Sequence, residues 1–180
     1  MVVWITGLSG SGKTTVAGDL VSRIRDAAIP AVHLDGDAVR EAIADESTGY
    51  DLLGRKRNAL RICRLAALCD EQRLEVVVST MSLFHEIHRW NREHFASYLE
   101  VYIEADVHTL AARNAKGVYS GTFPVVGLDM SVEAPESPHL ILRNDFTLAC
   151  RAEALRSLWL AWAARRAYSP TRTPAPSASP

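Results

Sequence analysis

The stretch Val2-Val-Trp-Ile-Thr-Gly-Leu-Ser-Gly-Ser-Gly-Lys-Thr-Thr15 (VVWITGLSGSGKTT) decides the fold. Residues 2–6 are an apolar, β-favouring run of the kind that forms a buried strand. Gly7-x-x-x-x-Gly12-Lys13-Thr14 follows at once, and a helical pattern through Val16, Leu20, Val21 and Ile24 begins at Lys13. Strand, glycine loop and helix in that order make a phosphate cradle. The glycines let backbone N–H groups turn inward, and the helix N-terminus adds partial positive charge. Gly7, Ser9, Gly10, Ser11, Gly12, Lys13, Thr14 and Thr15 are therefore the candidate nucleotide-binding residues. Lys13 is placed to bridge the β- and γ-phosphates, and the Thr14 hydroxyl to bind Mg²⁺. The ligand this predicts is a nucleoside triphosphate with Mg²⁺.

Outward from this loop, apolar runs alternate with helical patterns. Strands are expected at residues 31–34, 75–79, 99–103 and 139–142. Helices are expected at 13–25, 37–43, 52–72 (with Asp51 as N-cap), 85–98, 107–113 and 148–166. The alternation predicts an α/β fold of the P-loop NTPase type, a mostly parallel sheet with helices on both faces. Residues 114–138 carry most of the mid-chain glycines and prolines and read as one long loop, a lid by its length. The expected division is a catalytic domain over 1–167 and a disordered Pro/Ser-rich tail over 168–180.

Composition narrows the class. The chain has 180 residues, enough for one domain with a core, and a net charge of −1. Near-neutrality gives no reason to expect nucleic acid or an anionic membrane as partner. No apolar run is long enough to span a bilayer, and no basic region precedes the first apolar run, so the expected location is cytoplasmic. Cys63, Cys69 and Cys150 lack C-x-x-C spacing and are expected to be reduced and buried.

The second expected strand ends Leu34-Asp35-Gly36-Asp37, followed by Arg40. Carboxyl ends of neighbouring strands in an open α/β sheet face one crevice, which puts both carboxylates beside the phosphate loop. One can hold Mg²⁺ and the other can orient or deprotonate an attacking hydroxyl. An Asp-Gly turn with Asp37 as helix cap is the reading without chemistry.

With these residues in hand, the chain resembles the adenylylsulfate kinase (APS kinase) family. The resemblance is carried by G-L-S-G-S-G-K-T-T and by L-D-G-D-x-V-R. Gly49-Tyr50, Arg55-x-x-Asn58-x-x-Arg61, Ser82 and Phe84 follow, then Arg113-x-x-Lys116-Gly117-x-Tyr119, Gly127-Leu128-Asp129 and Glu133-x-Pro135-x-x-Pro138. It implies an ATP-dependent transfer of the γ-phosphoryl group to a ribose 3′-hydroxyl. Catalysis would fall to Lys13 and Asp37, with Asp35 beside Thr14 at the metal. Arg40, Tyr50, Arg55, Asn58, Ser82, Phe84 and Lys116 would meet a small nucleotide-like acceptor, and Arg113 would lie against the ATP adenine. A homodimer stays open, since oligomeric state is not readable from the residues. Read on their own, Arg55 and Asn58 share a helix face. Arg57, Arg61 and Arg64 form another stripe, which amphipathic logic assigns to solvent. Tyr50, just before a helix, serves equally as a hydrophobic staple.

The departures from the family lie on the acceptor side. Its S-P-[FY]-R-x-x-R becomes Ser82-Leu-Phe-His-Glu-Ile-His88, so two arginines are histidines. This predicts less permanent positive charge near the acceptor, partly restored by Arg89 and Arg92. The lid, Ser120-Gly-Thr-Phe-Pro-Val-Val-Gly-Leu-Asp129, is shorter than the family's and has no lysine or arginine. Val125 stands where the family has a phenylalanine facing the acceptor's adenine. A short lid, and Ser79-Thr-Met-Ser-Leu-Phe84 in place of the proline motif, resemble the cytidine diphosphoramidate kinases. The expected activity is thus phosphorylation of adenylyl sulfate, with a changed acceptor such as CDP-phosphoramidate as the alternative. An NTP-binding regulatory switch is the alternative of another class, and it would have no use for an acceptor site.

Overall fold

In the computed structural model, which describes residues 1–45, 49, 51–114 and 132–168, the first strand β1 (Val2–Gly7) is buried along its whole length. The phosphate loop leads from it into α1 (Lys13–Asp26). Then come β2 (Ala31–Asp35), α2 (Gly36–Ile43), α3 (Leu52–Glu71), β3 (Glu75–Ser79) and α4 (His85–His94). β4 (Tyr98–Glu104), α5 (Val107–Arg113), β5 (Leu140–Arg143) and α6 (Leu148–Ala167) follow among the described residues. Among the described residues the sheet has five strands in the order β2-β3-β1-β4-β5, all neighbours parallel.

Side-chain alternation along the strands builds two cores. Val3, Ile5, Val77, Val101 and Ile103 face α1 and α6, where Leu20, Ile24, Leu158 and Trp162 close the layer. Val2, Trp4, Val76 and Val78 face the opposite side, against Ala59, Ile62, Cys63 and Ala66 of α3 and Ile87 of α4. Burial on both faces explains why β1 and β3 read as unbroken apolar runs. The chain leaves β1 towards β2 on one side and β3 towards β4 on the other. The crevice at this reversal, at the carboxyl ends of the strands, is where an α/β sheet binds its ligand.

Two expectations and one alternative reading need correction. Helix α4 stops at His94 rather than at residue 98. Phe95 is already extended, and Tyr98 opens β4, with its phenol donating to Glu100 at 3.0 Å. Burial of Tyr98 in the sheet outweighs the helical pattern. Of the three cysteines only Cys63 is buried, and burial pushes its thiol up to about 12. Cys69 and Cys150 are half-buried, the latter because it opens α6, where its thiol donates to the Arg143 carbonyl at 2.9 Å. Finally, the aspartate that caps α2 is Asp35, accepting from the amides of Asp37 and Ala38, so Asp37 sits in the first turn instead.

Among the described residues no helix is long and apolar enough to cross a membrane. Of the expected loop at 114–138, residues 115–131 lie outside the described residues. So do Tyr50 and the tail from residue 169.

Candidate active site

The phosphate loop owes its shape to glycine backbones. Gly7 has φ +151°, and a Cβ there would stand 2.6 Å from the Ile103 carbonyl oxygen of β4. Gly12 caps α1 in the left-handed region at φ +96°, and a Cβ there would come within 2.7 Å of Asn144 Nδ2. That close approach has a purpose. Asn144 Nδ2 donates to the Ser11 carbonyl at 2.8 Å and so ties the loop to the end of β5. Ser11 is buried, and Gly7 packs behind the loop rather than facing the cleft. Lys13 is also buried, its Nζ donating to the Leu8 carbonyl at 2.6 Å across the loop.

A cleft of about 780 Å³ opens above the loop. On the loop side it is lined by Ser9, Gly10, Gly12, Lys13, Thr14 and Thr15. The same cleft is lined by Asp37, Arg40, Arg55 and Asn58. These four come from α2 and α3, which Asn58 joins by donating from Nδ2 to the Gly36 carbonyl at 3.1 Å. Arg40 is held by the Gly49 carbonyl, 2.9 Å from Nη1. At the far end Arg113 lies over the Phe146 ring, 4.1 Å from its centroid. Both residues line the cleft.

Asp35 sits at the middle. Its Oδ2 accepts from Thr14 Oγ1 at 2.8 Å and from Ser79 Oγ at 2.7 Å. Its Oδ1 accepts from the amides of Asp37 and Ala38. Burial works against its charge, but the hydrogen bonds from Ser79, Thr14 and the two amides outweigh it. The carboxyl is held below its usual value and stays ionised.

Ser82 and Phe84 do not line the cleft. Ser82 is buried and its hydroxyl accepts from Trp4 Nε1 at 2.8 Å. Phe84 stands at the start of α4 against the core behind the sheet. Lys116 and Tyr50 lie outside the described residues. In the arginine stripe, Arg57 and Arg64 are exposed and Arg61 pairs with Asp45.

The expected partial restoration of acceptor charge by Arg89 and Arg92 is not what the fold does with them. Arg89 is exposed, away from the cleft. Arg92 donates to Glu100 at 2.9 Å and to the Ser137 carbonyl at 2.7 Å. His88 is buried with Nδ1 3.5 Å from the same carboxylate, and His85 Nε2 lies 2.9 Å from the Ala134 carbonyl. The histidines and Arg92 thus hold the framework.

Burial works against the charge of Glu100, but contacts with His88, Arg92 and Tyr98 outweigh it and hold its carboxyl below the usual range. A carboxylate with a depressed folded pKa stabilises above its unfolded pKa and ceases to as pH falls through the folded one. Arg92→Ala is therefore expected to destabilise by about 1–2 kcal/mol at neutral pH, a figure discounted for the partial exposure of Arg92. The gap from wild type should narrow in acid, and urea unfolding at the two pH values checks this. A gap that widens in acid would mean that Arg92 does not serve the Glu100 charge.

Sequence reasoning missed Ser79 and Thr80 at the end of β3, and Asn144 and Phe146 after β5, all of which line the cleft. Ser79 had a signal. It ends a valine run whose parallel register sets it opposite Asp35. Phe146 had none beyond being an aromatic in a connecting segment.

Residues 1–143 match the family described as adenylylsulphate kinase. This chain belongs to the adenylylsulphate kinase family. It is accordingly an ATP-dependent phosphotransferase that acts on a hydroxyl. Among curated relatives of this kinase, a cytidine diphosphoramidate kinase of Campylobacter jejuni is 36% identical over 148 residues, covering 79% of this chain and 85% of that protein. An adenylyl-sulfate kinase of Deinococcus deserti is 36% identical over 149 residues, covering 80% and 82%. The solved Mycobacterium tuberculosis APS kinase, in complex with AMPPNP and APS, superposes with a TM-score of 0.77 at 27% identity, covering 87% of this chain and 94% of that one.

Proposed function

We propose that this kinase transfers the γ-phosphoryl group of ATP to a ribose 3′-hydroxyl of a nucleotide-like acceptor, with adenylyl sulfate as the leading candidate. The observation that carries this is one cleft lined both by Lys13 and Thr14 of the phosphate loop and by Asp37, Arg40, Arg55 and Asn58 of α2 and α3. A nucleotide switch needs the first group only. Lys13 and the loop amides bear on the transferred phosphoryl group. Asp37, exposed in the first turn of α2, takes the proton of the acceptor hydroxyl. Arg40, Arg55 and Asn58 hold the acceptor's anionic groups, and Arg113 with Phe146 forms the shelf for adenine. The domain runs through residue 167, because α6 supplies Leu158 and Trp162 to the core beneath α1.

Thr14 and Asp35 fit a Mg²⁺ site. Two hard oxygen donors stand 2.8 Å apart beside the phosphate loop, and one of them is a carboxylate held in its charged form. When bound, Mg²⁺ would neutralise charge on the β- and γ-phosphates.

A second reading has a specific support. The short lid without lysine or arginine and the stretch Ser79-Thr-Met-Ser-Leu-Phe84 depart from the adenylylsulfate pattern, and the Campylobacter jejuni relative acts, by its name, on a cytidine diphosphoramidate. ATP consumption with Mg²⁺, measured against adenylyl sulfate, CDP derivatives and simple nucleosides, separates the two. Phosphorylated adenylyl sulfate at the highest kcat/KM is the expected result. A preference for the CDP derivative selects the second reading, and hydrolysis with no phosphorylated product in any arm overturns both.

A further inference from the structure

His33 belongs to no motif, yet it reaches the centre of the site. Strand alternation puts His33 and Asp35 on one face of β2, and the parallel register pairs Asp35 with Ser79 of β3. His33 Nε2 lies 2.8 Å from Ser79 Oγ, Ser79 Oγ lies 2.7 Å from Asp35 Oδ2, and Thr14 Oγ1 lies 2.8 Å from the same oxygen. The direction of this chain follows from proton counting. An ionised carboxylate has no proton to give, so the single hydroxyl proton of Ser79 goes to Asp35. Ser79 Oγ can then only accept from the imidazole, which therefore carries a proton on Nε2. This holds whether the ring is neutral or charged.

We propose that His33 and Ser79 are a positioning pair that fixes the Asp35 carboxylate against Thr14 for the metal–nucleotide complex, an inference that rests on the assignment of Asp35 and Thr14 to Mg²⁺. The hydrogen-bond route from His33 to the carboxylate runs through Ser79. It fills the second lone pair of the hydroxyl and stops it rotating away from Asp35. Oδ1 is pinned by the α2 amides, but Oδ2, the oxygen shared with Thr14, depends on Ser79 for its direction. Partners one bond removed from a metal ligand commonly shift metal affinity or activity by about 10- to 100-fold.

The test compares ATP affinity with Mg²⁺ to ATP affinity in EDTA, by calorimetry on the full chain, and takes the ratio as the Mg²⁺-dependent gain. Ser79→Ala is expected to lower that gain about 10-fold and His33→Leu about 3- to 10-fold, with affinity in EDTA unchanged. His33→Gln, which keeps an N–H donor near the Nε2 position, should restore most of it. The double variant His33→Leu/Ser79→Ala should be little worse than Ser79→Ala alone, because the histidine's hydrogen-bond route to Asp35 runs through Ser79. Nitrogen NMR of the wild-type ring should show the proton on Nε2.

Additive losses in the double variant, equal losses in His33→Leu and His33→Gln, or a ring protonated on Nδ1 alone would each overturn the proposal. The NMR readout decides the matter even if His33→Leu does not fold. Asp35→Ala separates the two layers of the argument. If it removes the gain while the His33 and Ser79 variants leave it intact, the metal assignment stands and the positioning pair falls. A gain that survives Asp35→Ala overturns both.

Discussion

Asp37→Asn is expected to cut phosphoryl transfer by about 10²- to 10⁴-fold, the usual worth of a positioned general base. Its ATP affinity should stay within about twofold of wild type. The two halves of this expectation come from different contacts. Asp37 lies in the first turn of α2, exposed to the cleft, while Asp35 caps the helix and meets Thr14. Asparagine keeps the shape and the backbone N–H that donates to Asp35 Oδ1, so the helix start survives. What is lost is a carboxylate able to take the acceptor's proton. Initial-rate kinetics with nucleotide titration by fluorescence or calorimetry check both halves. A large loss of ATP binding would move Asp37 to the metal and leave the proton acceptor unassigned. Retained turnover would remove it from the chemistry altogether.

The sequence was legible where one physical signal acted alone. The expected strand at 75–79 and helix at 107–113 have the observed bounds of β3 and α5, because a valine run and an Asp106 cap leave little choice. The phosphate loop was legible because strand, glycines and helix follow each other without a gap. Legibility failed where tertiary contacts chose between local options. Tyr98 suits a helix end by pattern but is claimed by the sheet, through Glu100 and Asn91. His85 and His88 stand where the family has acceptor-side arginines, and Arg92 was expected to restore part of that charge. They are turned instead to Glu100 and to the segment at residues 134–137, partners that no spacing rule connects to them. Asp35 and Asp37 differ by two positions and could exchange roles on paper. Only the cap geometry of α2 distinguishes the one facing Thr14 from the one facing the open cleft.

Lys13→Ala is the companion to Asp37→Asn, and its signature should differ. Transfer is expected to fall about 10²- to 10³-fold, as when a preorganised donor is removed from a developing charge. The KM for ATP should rise as well, because the ammonium meets the phosphates in the ground state too. Lys13 is buried, with Nζ 2.6 Å from the Leu8 carbonyl, so its charge sits inside the loop rather than in solvent. Alanine is the best helix former and Lys13 opens α1, so the fold should tolerate the change. A thermal melt verifies that point before the kinetics are read. Lys13→Arg is expected to recover little. The guanidinium is a broad planar fork where the loop has been shaped around a compact ammonium. A fall in kcat with KM unchanged would place Lys13 on the transition state alone. Unaltered kinetics would mean that the loop amides and the α1 N-terminus hold the phosphates without it, against the way the loop folds over this one side chain.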